Sequence, residues 1–186
     1  MSQAPSHPVD LTPSLVVRLR AGDATVGALL DELYRRPMLR FCFGYLGCLQ
    51  DAEDAMQEVF CKVLQTSSVP DNFRAWLYRV ARNHCLNVLR TRERHPAQTL
   101  PSASQLDAEW TGHLTRMVQA EQRSRIAHLV GSLPLAQREA LRLRYAEGLS
   151  RTEIAYVVEE PESVIKSRLF EGLKRLRDHA SLADGE

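Results

Sequence analysis

One stretch of sequence limits the fold more than any other. From Asp51 onward the apolar residues are Ala52, Ala55, Met56, Val59, Phe60, Val63 and Leu64. They recur at steps of three and four, so they line one side of a helix. A half-buried strand would alternate its apolar residues at every second position, and no segment of this chain does so. Helical spacing returns in Phe73, Trp76, Leu77, Val80, Ala81, His84, Cys85, Val88 and Leu89. It also appears in Leu29, Leu30, Leu33 and Tyr34, and again in Phe41, Cys42, Tyr45 and Leu46. Pro37 lies between those last two groups and is expected to kink or break the helix. Asp51 is expected to cap the start of its helix, with Asp54 in the first turn where the dipole favours an acid. The fold class is all-α.

Composition divides the chain in two. Residues 1–12 carry two prolines and little apolar periodicity, and are expected to form a disordered tail. Residues 96–115 combine prolines with Ser, Thr and Gln, which is the composition of a flexible linker. Two small helical domains are therefore expected, over 13–95 and 116–182. With 44% apolar and 25% charged residues the chain is ordinary for a soluble protein. No apolar run reaches the roughly 20 residues of a membrane span, and the first residues lack a basic-then-apolar leader. A cytoplasmic location is expected. Cys42, Cys48, Cys61 and Cys85 form no CxxC pair and are expected to be free thiols. No metal set is apparent, and His84 and Cys85 are expected to be core residues.

The net charge of +1 says nothing about partners, but the charges are sorted. Asp51, Glu53, Asp54 and Glu58 lie in a stretch without Lys or Arg, between Phe41 and Cys61. Arg74, Arg79, Arg82, Arg90, Arg92 and Arg94 follow, with Glu93 the single acid among them. On that basic helix the polar side is Arg79, Asn83, Asn87 and Arg90. Arginine and asparagine are the side chains that grip phosphates and read base edges, which points to nucleic acid.

The C-terminal block has clear punctuation. Pro134 suits the first position of a helix that would run to about Glu147 and stop at Gly148. Ser150 and Glu153 make a capping box for the short helix RTEIAYVV. Pro161 opens a last helix with the stripe Ile165, Leu169, Leu173 and Leu176. Ala155 is small where two helices are expected to cross. A short helix, a tight turn and a longer basic helix read as a helix-turn-helix, with a plain helical hairpin as the alternative.

The order "DAEDAMQEVF", "FRAWLYRVARNHCLNVLR", "LPLAQREALRLRYAEGLSRTEIA" and "VIKSRLFEGLKRLR" resembles a bacterial sigma factor of the extracytoplasmic-function class, a branch of the sigma-70 family. The resemblance covers about 25–95 and 120–178. It implies a region 2 domain and a region 4 domain joined by a linker, and a non-enzymatic role as an alternative sigma factor needing no cofactor. The implied partners are core RNA polymerase, through its β′ clamp helices and β flap, promoter DNA, and an anti-sigma protein.

The resemblance also implies roles for individual residues. Asp51, Asp54, Gln57 and Glu58 would face the clamp helices. The loop Thr66 to Asn72 and the helix after it would read and melt the downstream (−10) element, one non-template base being flipped into a pocket near the loop. Asn83, Arg79 and Asn87 are the candidate readers, and Arg74, Arg90 and Arg92 would hold phosphates. Of the two rings that invite stacking, Trp76 lies on the apolar stripe and Tyr78 off it, so Tyr78 is expected to be the more open. Asp107 and Glu109 in the linker would follow a nucleic-acid-like path through the polymerase. Ser163, Lys166, Ser167, Arg168, Lys174 and Arg175 would meet the upstream (−35) element. The chain departs from the family in its turn, where Glu159 and Glu160 replace a glycine and an apolar residue. Glu162 and Glu171 also fall where neutral or basic residues are common. A sigma-like mimic that sequesters an anti-sigma protein is the main alternative. A dimeric helix-turn-helix repressor leaves the first block unexplained, and an enzyme lacks a phosphate loop or nucleophile motif.

Overall fold

A computed structural model describes residues 12–66, 69–94 and 130–183. Expectations for the start of the tail, the linker with Asp107 and Glu109, and residues 116–129 lie outside the described residues. The chain divides into two compact units between Ala103 and Ser104. Among the described residues there is no strand, and no helix is long and apolar enough to cross a membrane.

The first unit holds α1 (Thr12–Ala21), α2 (Val26–Leu46), α3 (Leu49–Leu64) and α4 (Phe73–Arg94). Helices α2, α3 and α4 pack on one another, and α1 lies on α2 and α4. The stripe of α3 is buried as its spacing predicts, from Ala52 to Val63, while Leu64 at its end is exposed. Leu30, Met38, Phe41, Met56, Phe73 and Leu77 fill the centre. Each such side chain taken from water contributes about 1.5–3 kcal/mol. Helix α1, which no stripe announced, adds Leu15 and Val16 to this core.

Two local expectations are corrected. Of the two outcomes expected at Pro37, a kink or a break, the break does not occur: helix α2 runs through it. A proline inside a helix costs about 3 kcal/mol, and burial of Leu30, Tyr34, Met38, Phe41 and Cys42 on both sides of Pro37 offsets that cost. Helix α3 starts at Leu49 with Cys48 in the capping position, so Asp51 sits inside the first turn and does not cap it.

The second unit holds α5 (Leu135–Leu141), which continues as a π turn over Arg142–Ala146, then α6 (Arg151–Val158) and α7 (Glu162–Ala183). Both α5 and α6 pack on α7 around Leu143, Leu149, Ile154, Val157 and Ile165. Gly148 has φ +67°, as its place at the end of the turn predicts. The Ser150–Glu153 capping box is complete: Glu153 N–H donates to Ser150 Oγ at 3.1 Å, and Ser150 N–H to Glu153 Oε2 at 2.7 Å. Helices α5 and α7 approach closely at Gly172, where a Cβ would lie 2.9 Å from Leu141 Cδ1. Ala155, expected to mark such a crossing, is only half-buried.

Candidate nucleic-acid interface

The basic helix α4 buries Phe73, Ala75, Leu77, Tyr78, Ala81 and Cys85. Its opposite side exposes Asn83, Asn87 and Arg90, with Arg79 half-exposed one turn before Asn83. These residues rise along a single helix face, so the polar row read from the sequence is a surface row. Arg90 Nη1 donates to Asn87 Oδ1 at 3.3 Å, which orients that amide. Arg74 is half-buried near the start of the helix.

The two rings exchange places relative to expectation. Tyr78, expected to be open, is only 2% exposed and packs edge-on against Phe41 with centroids 5.1 Å apart. It has no face to offer a base in this conformation. Trp76, expected in the core, is half-exposed beside Phe73, with ring centroids 5.8 Å apart. Val80 and His84 are likewise half-exposed. The buried side of α4 is thus rotated toward Tyr78 and away from Trp76, Val80 and His84.

On α3, Asp54, Gln57 and Glu58 point outward and are exposed. Asp51 is half-buried, and its carboxylate meets Arg92 Nη2 at 2.6 Å. Arg92 also reaches the Leu46 carbonyl at 3.5 Å. Burial pushes the Asp51 carboxyl up, but the Cys48 thiol and the Arg92 guanidinium outweigh it and hold it below the usual carboxylate value. The resemblance gave Asp51 to a protein surface and Arg92 to a phosphate. In this structure each engages the other, tying the start of α3 to the end of α4.

Between these faces, His84 Nδ1 lies 3.3 Å from Lys62 Nζ. Burial and the Lys62 charge depress the imidazole's pKa, while Glu58 opposes them. The folded chain therefore binds less proton here than the unfolded chain as pH falls below the ordinary value near 6.5. Stability conferred by neutral His84 is present above that pH and declines as acid is added. Unfolding midpoints from pH 8 to 5.5 are expected to fall more steeply in the parent than in His84→Gln.

In the second unit Ser163, Lys166, Ser167, Lys174 and Arg175 are exposed along α7. Ser167 Oγ donates to the Ser163 carbonyl at 3.2 Å. Arg168 is half-buried and pairs with Glu160 at 2.8 Å. Glu162 meets Arg151 at 3.5 Å and accepts from Thr152 Oγ1 at 3.1 Å, fastening α6 to α7. Glu171 accepts from Gln137 Nε2 at 3.0 Å, joining α5 to α7. Three of the four departing glutamates thus hold the motif together.

Glu159 is left-handed, with φ 60° and ψ 43°. That conformation costs a residue with a Cβ roughly 1–2 kcal/mol, and a glycine here would loosen the unfolded chain by about 0.4–1 kcal/mol. Glu159→Gly is expected to raise the stability of the second unit by about 0.5–1 kcal/mol. A thermal melt of the full chain checks this. An unchanged or lower midpoint means that the Glu159 side chain contributes more than the strain removes.

All four cysteines are free, with Cys42 and Cys85 buried. Among the described residues no group of His, Cys, Asp and Glu is arranged to hold a metal.

A helix-turn-helix unit and a helical unit that carries an acidic and a basic helix fit a DNA-binding protein. Residues 30–95 match the sigma-70 region 2 family and residues 123–176 match the sigma-70 region 4 family. The chain is 30% identical to the RNA polymerase sigma-H factor of Pseudomonas aeruginosa, over 84% of this chain and 86% of that one. It is 26% identical to the extracytoplasmic-function sigma factor SigW of Bacillus subtilis, over 87% and 92% of the two chains. A solved complex of the sigma factor RpoE with the anti-sigma factor NepR, from Bartonella quintana, shares the fold. It has a TM-score of 0.59 and 21% identity over 91% of this chain and 95% of that one. The chain belongs to the sigma-70 family of RNA polymerase sigma factors, in its extracytoplasmic-function class. Members of this family act in transcription initiation and are regulators, not enzymes.

Proposed function

We propose that the chain is an alternative sigma factor that binds core RNA polymerase and directs initiation at its own promoters. The first unit docks through α3 and reads and melts the −10 element through α4. The second unit binds the −35 element through α7. The observation that carries this is the Arg79, Asn83, Asn87 and Arg90 row, which stands on the surface of α4 opposite its buried face. Asp54, Gln57 and Glu58 supply the acidic surface for the β′ clamp helices. Asp51 is committed to Arg92 and supports that surface from inside.

Asn83, Asn87 and Arg79 are suited to base edges, and Arg74 and Arg90 to phosphates. Trp76 is the better candidate for the stacking role expected of Tyr78, because its indole is partly exposed where the Tyr78 ring is buried. On α7, Ser163, Lys166, Ser167, Lys174 and Arg175 are free to approach DNA, while Arg168 must leave Glu160 to do so. The β flap is the expected polymerase contact of this second unit.

An anti-sigma protein is the expected regulator, in keeping with the complex in which the structural relative was solved. The test is reconstitution: purified chain and core polymerase on a promoter library, with transcript starts mapped. Initiation at a consistent pair of elements is expected. No initiation at any promoter, with retained binding to an anti-sigma protein, would identify a mimic instead.

A further inference from the structure

We propose that Arg20, on α1, is a positioning residue for promoter reading: it pins the segment Val69–Asn72 at the entrance to α4. Arg20 Nη2 donates to the Val69 carbonyl at 2.9 Å and to Asp71 Oδ1 at 3.1 Å. The carbonyl contact spans 49 residues of sequence. One guanidinium nitrogen thus holds a main-chain oxygen and a carboxylate two residues further on.

The surroundings make this contact directional. Val69 is buried and fixes the segment from the inside. Asn72 Oδ1 accepts from the Ala75 N–H at 3.1 Å, capping the first turn of α4. Arg20 supplies the hold from outside, between those two points. Its own side chain is 51% exposed, so its loss leaves no cavity in the core. The anchoring of α1 rests on Leu15 and Val16, which are buried. Its neighbour Arg18 behaves differently, bonding locally to Asp23 and Thr25.

Charge gives Arg20 a second effect on the same segment. The Asp71 side chain is fully exposed. A lone carboxylate at the mouth of a DNA-reading helix repels phosphates, and the guanidinium neutralises it. Removing Arg20 both frees the Val69 carbonyl and uncovers that charge. Asp71→Asn removes the charge alone, so the two effects separate.

The inference rests on the proposed reading of α4 and its entrance as the base-reading element. The test uses the full chain with core polymerase on a library randomised through the downstream promoter element. Arg20→Ala, Arg20→Lys, Asp71→Asn and Asn83→Ala are compared for core affinity, thermal midpoint and initiation on each library member. Arg20→Ala is expected to lower base preference at one position by roughly three- to tenfold, the range of an ordinary net hydrogen bond. Core affinity and thermal midpoint should stay near parental values, and Arg20→Lys should recover part of the preference. Asp71→Asn should leave the preference pattern in place.

A uniform drop across the library, tracking a lower midpoint, would make Arg20 a stabilising residue only and overturn the proposal. A shift with Asn83→Ala but none with Arg20→Ala would overturn it while the reading of α4 stands. No shift with either would overturn both.

Discussion

Reversing both outward acids of α3, D54K with E58K, is expected to weaken binding to core RNA polymerase by about 100-fold. The helix should survive the change. Both residues are exposed on the side opposite Ala55 and Val59, which are buried. Lysine is as good a helix former as glutamate and better than aspartate. At a partner surface each reversal turns an attraction into a repulsion. Close charge pairs across interfaces couple by about 1.5 kcal/mol at the low end. Two such positions give about 3 kcal/mol, which is about 100-fold in affinity. Added salt should narrow the gap between parent and variant, because these charges are not enclosed within their own unit. Asp51→Asn is the instructive contrast. It breaks the 2.6 Å pair with Arg92, so its effect should appear first in the thermal midpoint. Unchanged core affinity in the double variant, with helicity intact, would remove this face as the docking surface.

The punctuated parts of the chain were legible from sequence. The second unit is built on local signals, and they behave as local signals should. Ser150 and Glu153 cap each other, Gly148 turns left-handed, and Glu159 takes the strained conformation that its place after α6 demands. The α3 stripe was equally clear because a large, continuous apolar face leaves one way to pack. Helix α4 was harder. Phe73, Leu77, Ala81 and Cys85 fit a stripe that includes either Trp76 and Val80 or Tyr78. Tertiary partners decide between them, through Phe41 against Tyr78 and Tyr34 against Phe73. Neither partner lies on the same helix, so periodicity along α4 is silent on the choice.

The same limit explains the other differences. Charge sorting correctly separated an acidic helix from a basic one, but not which members meet inside the unit. Asp51 and Arg92 meet each other, which neither charge run shows when read alone. Glu160 and Glu162 stand in the sequence as departures from the family pattern. Their partners Arg168 and Arg151 show a second use, holding the turn and the two helices in register. Pro37 broke a local rule that burial on both sides overrides. Arg20 carries no local signal at all, since its partner is a main-chain carbonyl far along the chain.

Asn83→Ala is expected to cut open-complex formation by about tenfold or more while core affinity stays at the parental value. A lost base contact costs about 1–3 kcal/mol and relaxes preference at one promoter position. Asn83 is exposed in the middle of α4, one turn after Arg79 and one before Asn87. A carboxamide there presents a donor and an acceptor side by side, the arrangement that pairs with the two groups on an adenine edge. Alanine is a better helix former than asparagine, so α4 itself should gain slightly. A deficit in initiation therefore cannot come from a weakened helix. Asn83→Asp sharpens the test. It keeps size and the acceptor, loses the donor, and adds a charge that repels phosphates. Its defect should exceed that of alanine, most of all at low salt where repulsion is least screened. Alanine should lose discrimination at one position and keep it elsewhere, since the other proposed readers, Arg79 and Asn87, are untouched. If the alanine variant initiates across a promoter library with parental rates and parental preference, Asn83 is a solvated residue. The reading of bases then moves along the same face to Asn87 or to the partly exposed Trp76.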